Sequence, residues 1–193
     1  MSRTKVKQNV IDASFGNILE QIVYRADGRT IATKQGNITV QNVTAWQGTP
    51  GSAHTAVTGS GIDYTPPTGA LHVHYQFYCN LGYYVNNPLY HFKVQLDNSS
   101  GTLTDITESR RTYYAPDLRD FWIVAGETYI RINGTEDVAN EQVGTWTSAR
   151  TIQTTFRSYS NTYDGAAHRL FHWDGSSDTN RYIKPLIKIT AYS

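Results

Sequence analysis

Two segments near the middle of the chain alternate apolar and polar side chains with a period of two. In the segment 71–78 the apolar side chains are Leu71, Val73, Tyr75 and Phe77. In the segment 90–96 they are Tyr90, Phe92, Val94 and Leu96. Successive side chains of a strand point to opposite faces, so this period indicates strands with one buried side. The pattern predicts an antiparallel pair within a half-buried sheet.

The rest of the chain also has the composition and spacing typical of strands and turns. Tyrosine (14 residues) and glycine (15) are abundant, whereas there is one methionine, a balance that favours strands and turns over helices. Asp27-Gly28 predicts a hairpin turn, Gly126 a further turn, and 144–160 a long strand. One face of that strand carries Trp146, Ile152 and Phe156. About nine or ten strands without helical segments predict an all-β fold, an antiparallel β-sandwich of jelly-roll type.

The domain organisation predicted from the sequence is simple. Residues 1–15 are polar and form a short N-terminal arm whose order depends on a neighbour, and 16–193 form a single domain. The segment 17–24 fits two structures, because its apolar residues also recur at helical spacing. The strand is preferred because the Asp-Gly turn and the β-branched residues after it suit hairpins.

Charge and cysteine content exclude several classes of function. Seventeen basic and sixteen acidic residues give a net charge of +1, and neither sign forms a block, so no nucleic-acid partner is expected. No apolar run reaches the roughly 18 residues of a membrane span, so no membrane insertion is expected. The single cysteine, Cys79, lies in an aromatic strand-like segment and is predicted to be a buried, inert thiol.

A set of motifs resembles those of a known group of proteins. In chain order they are YTPPTGA, HFKVQLD, SRR, GTWTSARTIQTTFRSYS, HRLFHWDG and IKPLIKITAYS. The order is similar to that in small jelly-roll virion proteins and tail-fibre C-terminal domains of marine, cyanophage-like bacteriophages, over residues 16–193. The resemblance implies a virion structural protein, made in the host cytoplasm, that forms a homotrimer and contacts capsid or fibre and tail proteins.

Two functions remain open at this point. The chain has no fibre shaft or coiled-coil heptads in its sequence, which favours a short knob or a capsid decoration protein over a complete long fibre. The preferred prediction is a trimeric capsid decoration protein docked on the shell through its N-terminal region. The alternative is a receptor-binding knob of a tail or head fibre that recognises a host surface glycan. A glycan depolymerase is the more distant third interpretation.

Motifs of catalysis and cofactor binding are missing from the sequence. There is no GxSxG, HExxH, phosphate-binding loop or dinucleotide fingerprint, so no enzyme, no catalytic residue and no cofactor is predicted. His72 and His74 have a spacing that can present two imidazoles to a metal. No third ligand is local, so a solvent-facing or interface pair is the preferred interpretation.

Aromatic and arginine pairs in or near connections are the candidate contact residues. Tyrosine rings there can stack on sugars or pack against another protein, although they can also merely cover strand ends. Two adjacent arginines beside one tyrosine pair can form interfacial ion pairs. The candidates for glycan or protein contact are Tyr83, Tyr84, Arg110, Arg111, Tyr113, Tyr114, Tyr159 and Tyr163.

Overall fold

The computed structural model describes residues 16–48, 51–85, 89–114, 121–132, 134–159, 164–170 and 181–193. Its strands lie in a seven-stranded sheet, a six-stranded sheet and a separate two-stranded hairpin. The strands are β1 (Ile18–Arg25), β2 (Thr30–Thr33), β3 (Gly36–Thr39), β4 (Gln47–Gly48), β5 (Thr55–Ala56), β6 (Ile62–Tyr64), β7 (His72–Val85), β8 (Leu89–Asp97), β9 (Leu103–Asp105), β10 (Arg111–Tyr114), β11 (Phe121–Ile132), β12 (Gln142–Val143), β13 (Arg150–Ser158), β14 (Asp164–Ala167) and β15 (Leu186–Tyr192). Two short 3₁₀ helices span Thr107–Ser109 and Val138–Asn140. None of the described residues belongs to a helix long and apolar enough to cross a membrane.

The strand order is that of a jelly roll. The first sheet runs β1-β15-β7-β11, and the second runs β10-β8-β13 with β6 and β5 paired to β13. Among β1, β6, β7, β8, β10, β11, β13 and β15, each strand lies in the opposite sheet to the one before it, except for the neighbours β8 and β10. Two sheets joined by such crossings form the two Greek keys of a jelly roll, so the predicted antiparallel sandwich is confirmed.

The segment 17–24 is a strand, as preferred over a helix. It forms most of β1, which pairs antiparallel with β15 at the other end of the chain. Asp27-Gly28 does not form the predicted hairpin turn, because β1 and β2 do not pair with each other and β2 pairs with β3 instead. The backbone N–H of Ala26 donates to the Pro185 carbonyl at 3.1 Å, and this contact fixes the corner where the chain leaves the sheet.

The two strands predicted at 71–78 and 90–96 lie at the centre of the core, but they do not pair with each other as predicted, because β7 belongs to the first sheet and β8 to the second. All their alternating apolar side chains except Leu71 are at most 1% exposed, whereas Leu71 precedes β7 and is 39% exposed. Cys79 is fully buried as predicted, and burial raises the pKa of its thiol. The buried hydroxyl of Tyr75 donates to the Ser60 carbonyl at 2.8 Å, so the core satisfies this polar group internally.

Three sequence predictions about strand limits were wrong. The first of those two strands continues to Val85, and Gly126 lies inside β11 at a bulge. A Cβ on Gly126 would lie 2.0 Å from Thr154 Oγ1, so this glycine allows the two sheets to approach and makes no turn. The strand predicted for 144–160 begins only at Arg150, because Trp146 turns inward and its Nε1 donates to the Tyr64 carbonyl at 2.9 Å.

His168, just after β14, makes the stability of the fold depend on pH. Its imidazole is fully buried, and burial lowers its pKa to about 4, although a 2.9 Å hydrogen bond to the Thr58 carbonyl opposes the shift. Between pH 6.5 and about pH 4 the imidazole is protonated in the unfolded chain and neutral in the folded one. We therefore expect the free energy of unfolding to fall by about 2 kcal/mol between pH 7 and pH 5 from this residue.

Urea unfolding of the wild type and a His168→Asn variant at both pH values tests this expectation. Asparagine suits the positive φ of 70° at this position and does not titrate in this range. The variant should lose less stability than the wild type on acidification. Equal losses in the two proteins would show that His168 is not the group responsible.

Candidate functional site

The outer face of the second sheet carries a row of polar and charged side chains. His91 of β8 lies directly between Thr112 of β10 and Arg157 of β13 in the hydrogen-bonded register. In the next row along the sheet, Lys93 of β8 lies opposite Thr155. Side chains directly opposite each other on one face of a sheet lie about 5 Å apart at Cβ, so these residues form one continuous surface.

This surface contains a cleft of about 380 Å³, which we call the cationic cleft. Strands β8, β10 and β13 supply its floor and two of its sides, while β9 and the segments before β5 and β10 supply the remaining walls. It is lined by His54, His91, Phe92, Lys93, Asp105, Arg110, Arg111, Thr112 and Arg157.

Positive charge exceeds negative charge in this lining. Asp105 is the one carboxylate, and Lys93 Nζ contacts its Oδ2 at 2.6 Å. Burial opposes ionisation of Asp105, but hydrogen bonds from Lys93 and Gln95 outweigh it and lower the pKa. Arg111 Nη2 donates to Glu127 Oε2 of the first sheet at 2.6 Å. The remaining two guanidinium groups, of Arg110 and Arg157, form no ion pair with any described residue.

The two imidazoles of the cleft are neutral near pH 7. Burial, followed by the charges of Lys93 and Arg157, lowers the pKa of His54 to about 4. Burial and the charge of Arg157 also lower the pKa of His91. His91 Nδ1 lies 3.0 Å from Thr112 Oγ1. Its Nε2 and the Nε of Arg111 are buried and lack a hydrogen-bond partner among the described residues, so the wall retains unused polar groups.

Comparison with known proteins gives distant structural likenesses and no family. No protein family matches the chain, and no curated protein matches it. A structure of infectious bursal disease virus, Gt strain, is 10% identical with a TM-score of 0.41, and the match covers 91% of this chain and 38% of that chain. The T13 particle of the same virus is 10% identical with a TM-score of 0.35, over 98% of this chain and 50% of that one.

A third structure comes from a different class of protein. The CBM22-1-GH10 modules of Clostridium thermocellum xylanase 10B, complexed with xylohexaose, are 7% identical with a TM-score of 0.35. That match covers 93% of this chain and 26% of the other. The chain thus spans at most half the length of these structures. Likenesses as distant as these carry no information about function.

The structure brings four of the predicted contact residues to the cationic cleft. Arg110 and Arg111 line it, and the side chains of Tyr114 and Tyr159 are 58% and 61% exposed beside it. The register places these two tyrosines on either side of Leu89, at the end of β8 next to His91. The ring of Tyr159 lies 6.3 Å from that of His91. Two exposed aromatic rings therefore flank one end of a polar cleft.

The other predicted tyrosines are placed differently. The hydroxyl of Tyr113 donates to the Val124 carbonyl at 2.6 Å and its ring packs edge-on against Phe92, so it joins the two sheets. Tyr83 and Tyr84 belong to β7, where no connection interrupts the strand, and their side chains are outside what the structure describes. Tyr163 lies outside the described residues.

The His72 and His74 pair lies on the outer face of the first sheet. The ring of His72 stacks on that of Tyr129 at 5.1 Å, while His74 Nε2 lies 3.1 Å from Glu127 Oε1. Across the described ranges, no three side chains of His, Cys, Asp or Glu are grouped so as to hold a metal ion. The two imidazoles therefore have an aromatic ring and a carboxylate as their neighbours.

Sequence reasoning missed His54, His91, Lys93 and Arg157 as members of the site. Three of them occupy the polar positions of β8 and β13, so the period of two already placed them on a solvent-facing side. Their assembly into one cleft depends on β8 lying between β10 and β13, and the alternation of side chains does not specify strand partners.

Proposed function

We propose that this chain is a non-enzymatic structural protein of a virion surface and that it attaches to a host-surface glycan through the cationic cleft. The observation that carries the proposal is the cleft itself, in which two guanidinium groups, without ion-pair partners among the described residues, lie beside exposed tyrosine rings. Arginine forks match carboxylate, sulfate and phosphate groups, and tyrosine rings stack on sugar faces. The predicted receptor-binding role is thus preferred over shell decoration.

Two further arguments support this role. Jelly rolls serve both as capsid and as lectin domains, so the architecture suits a surface protein that binds saccharide. The motif order resembles that of phage virion proteins, for which a homotrimer is expected. A homotrimer would present three cationic clefts. Binding through several clefts at once makes the overall attachment much tighter than binding through one cleft.

Replacing Arg157 by glutamine should weaken binding of a short anionic saccharide by about tenfold. A charge-assisted hydrogen bond contributes about 1.5–3 kcal/mol, and 1.4 kcal/mol corresponds to tenfold in Kd. Isothermal titration calorimetry with a sulfated and a carboxylated disaccharide, beside an uncharged disaccharide, measures the effect. The affinity of the wild type for the anionic probes should fall as salt is added.

An Arg131→Gln variant is the matched control. Arg131 is an exposed arginine of β11 outside the cleft lining, so the variant loses the same charge elsewhere on the molecule. It should bind like the wild type. Absence of binding of every saccharide by the wild type, or equal weakening by the two substitutions, would refute attachment through this cleft.

A further inference from the structure

A second depression lies on the same outer face of the second sheet, at the opposite end of β13. It has a volume of about 750 Å³ and lies between the β2–β3 hairpin and β6. We call it the amide groove, because the amide side chains of Gln35, Asn37 and Gln41 lie in its walls, beside hydroxyl and apolar side chains. Its polar side chains that matter for binding are the uncharged Gln35, Asn37, Thr39, Gln41 and Thr151, together with the carboxylate of Asp63.

The wall formed by the hairpin is anchored to the body of the domain. The backbone N–H of Lys34 donates to Glu20 Oε1 at 2.6 Å, and the other oxygen of Glu20 accepts from Tyr64 Oη at 2.9 Å. On the far side, Gln41 Oε1 accepts from the Gly59 N–H at 2.5 Å. The groove is therefore formed before any ligand arrives, which lowers the entropy cost of binding.

The chemistry of the lining suits a polyhydroxylated, uncharged group. Amide side chains both donate and accept hydrogen bonds, as paired hydroxyls of a sugar do. Gln35 Nε2 already donates to Thr68 Oγ1 at 3.4 Å, whereas the side chain of Asn37 is exposed and makes no hydrogen bond within the described part of the chain. Asp63 is the one charged residue of the lining, and its Oδ1 already accepts from Thr151 Oγ1 at 2.5 Å. The groove therefore offers no cation to attract an anionic group.

A polar strip connects the amide groove to the cationic cleft. Thr151 lies in the groove and Arg157 in the cleft, six residues apart on β13 and with side chains on the same face. At about 3.3 Å per residue this separation is about 20 Å. Between them Gln153 donates to Gln95 at 2.9 Å across the sheet. The strip therefore presents further amides and no apolar barrier.

We infer that this face binds one elongated acidic oligosaccharide, with an anionic unit in the cationic cleft and uncharged units in the amide groove. The inference rests on the proposed function, because it extends the ligand of the cationic cleft from a single sugar unit to an oligosaccharide. Its specific claim concerns length: a saccharide that reaches across about 20 Å should use both ends of the face.

The test is a length series of one sulfated and one carboxylated oligosaccharide, from the disaccharide to the octasaccharide, titrated into the full chain by calorimetry. Affinity should rise at least tenfold over the series and level off once the oligosaccharide is long enough to span the cationic cleft and the amide groove. Asn37→Ala should weaken binding of the long members several-fold and leave the disaccharide unchanged. Arg157→Gln should weaken binding at every length.

The outcomes separate failure of this inference from failure of the proposed function. Disaccharide binding in the cleft with affinity independent of length would overturn the inference and leave glycan attachment standing. Insensitivity of the longest saccharide to Asn37→Ala would do the same. Equal affinity for an acidic peptide of matching length would overturn assignment of the groove to a saccharide. Absence of binding at every length would instead refute the proposed function.

Discussion

A Gly165→Ala variant should be less stable than the wild type by about 3 kcal/mol, since overpacking a tight core costs about 1–3 kcal/mol and a lost hydrogen bond about 1 more. A Cβ on Gly165 would lie 1.8 Å from the hydroxyl oxygen of Tyr90 and 2.3 Å from its Cζ. Tyr90 cannot simply move away, because it is fully buried and its hydroxyl donates to the Gly82 carbonyl at 3.0 Å.

Thermal unfolding measures this effect, which corresponds to a fall in Tm of about 10 °C for a domain of this size. Gly61→Ala is the matched control, because a Cβ there would meet no atom within 4 Å. It should change stability by less than about 0.5 kcal/mol. Adding Tyr90→Phe to Gly165→Ala removes the nearest atom but leaves the ring carbons Cζ and Cε1 at 2.3 Å and 2.4 Å, so it should restore little of the loss. Wild-type stability of Gly165→Ala alone would contradict the close contact.

The sequence predicts the layers of this fold better than its connections. Alternation of side chains identifies the buried faces of β7 and β8 because burial of one face acts on every second residue. It says nothing about which strands pair, so β1 beside β15 and the jelly-roll order appear only in the structure. Gly126 shows that the sequence alone also leaves the role of a glycine open. A glycine that lets two sheets approach closely cannot be distinguished in the sequence from a glycine that forms a turn.

For the candidate site too, the sequence shows local features but not which strands lie side by side. Arg110 and Arg111 are neighbours in sequence, so their pairing was visible without a fold. The contribution of Arg157 was not, because it reaches the site only through the pairing of β13 with β8. The amide groove also escaped prediction, since it lies between a hairpin and β6, two elements that are not hydrogen-bonded to each other.

Arg150→Met should destabilise the domain by about 2–3 kcal/mol, because Arg150 is buried and donates several hydrogen bonds while its ion-pair partner Glu136 is only half-buried. The Arg150 side chain is 8% exposed, and its Nη1 donates to Glu136 Oε1 at 2.7 Å. It also donates to the carbonyls of Asp97 and Thr145, at 3.1 Å and 2.7 Å. Methionine preserves most of the volume but leaves these acceptors without a donor, and urea unfolding at pH 7 measures the loss.

A double-mutant cycle with Glu136→Gln separates the ion pair from the other contacts of Arg150. Glu136 also accepts from the N–H groups of Ser99 and Gly144, at 2.9 Å and 3.1 Å, so it links two loops to the start of β13. The hydrogen bond from Arg150 leads the interactions that lower the pKa of Glu136, so stability from this group is lost as the pH falls below about 4.5.

The coupling between the two substitutions should be at least about 1 kcal/mol, because residues in one hydrogen-bond network are not independent. Arg131→Gln, an exposed arginine with no ion pair among the described residues, should show no coupling with Glu136→Gln. If Arg150→Met and Glu136→Gln were additive, the carbonyl contacts and the Trp146 ring, 5.9 Å from the guanidinium, would account for the role of Arg150. The carboxylate of Glu136 would then hold the loops of Ser99 and Gly144 independently of the arginine.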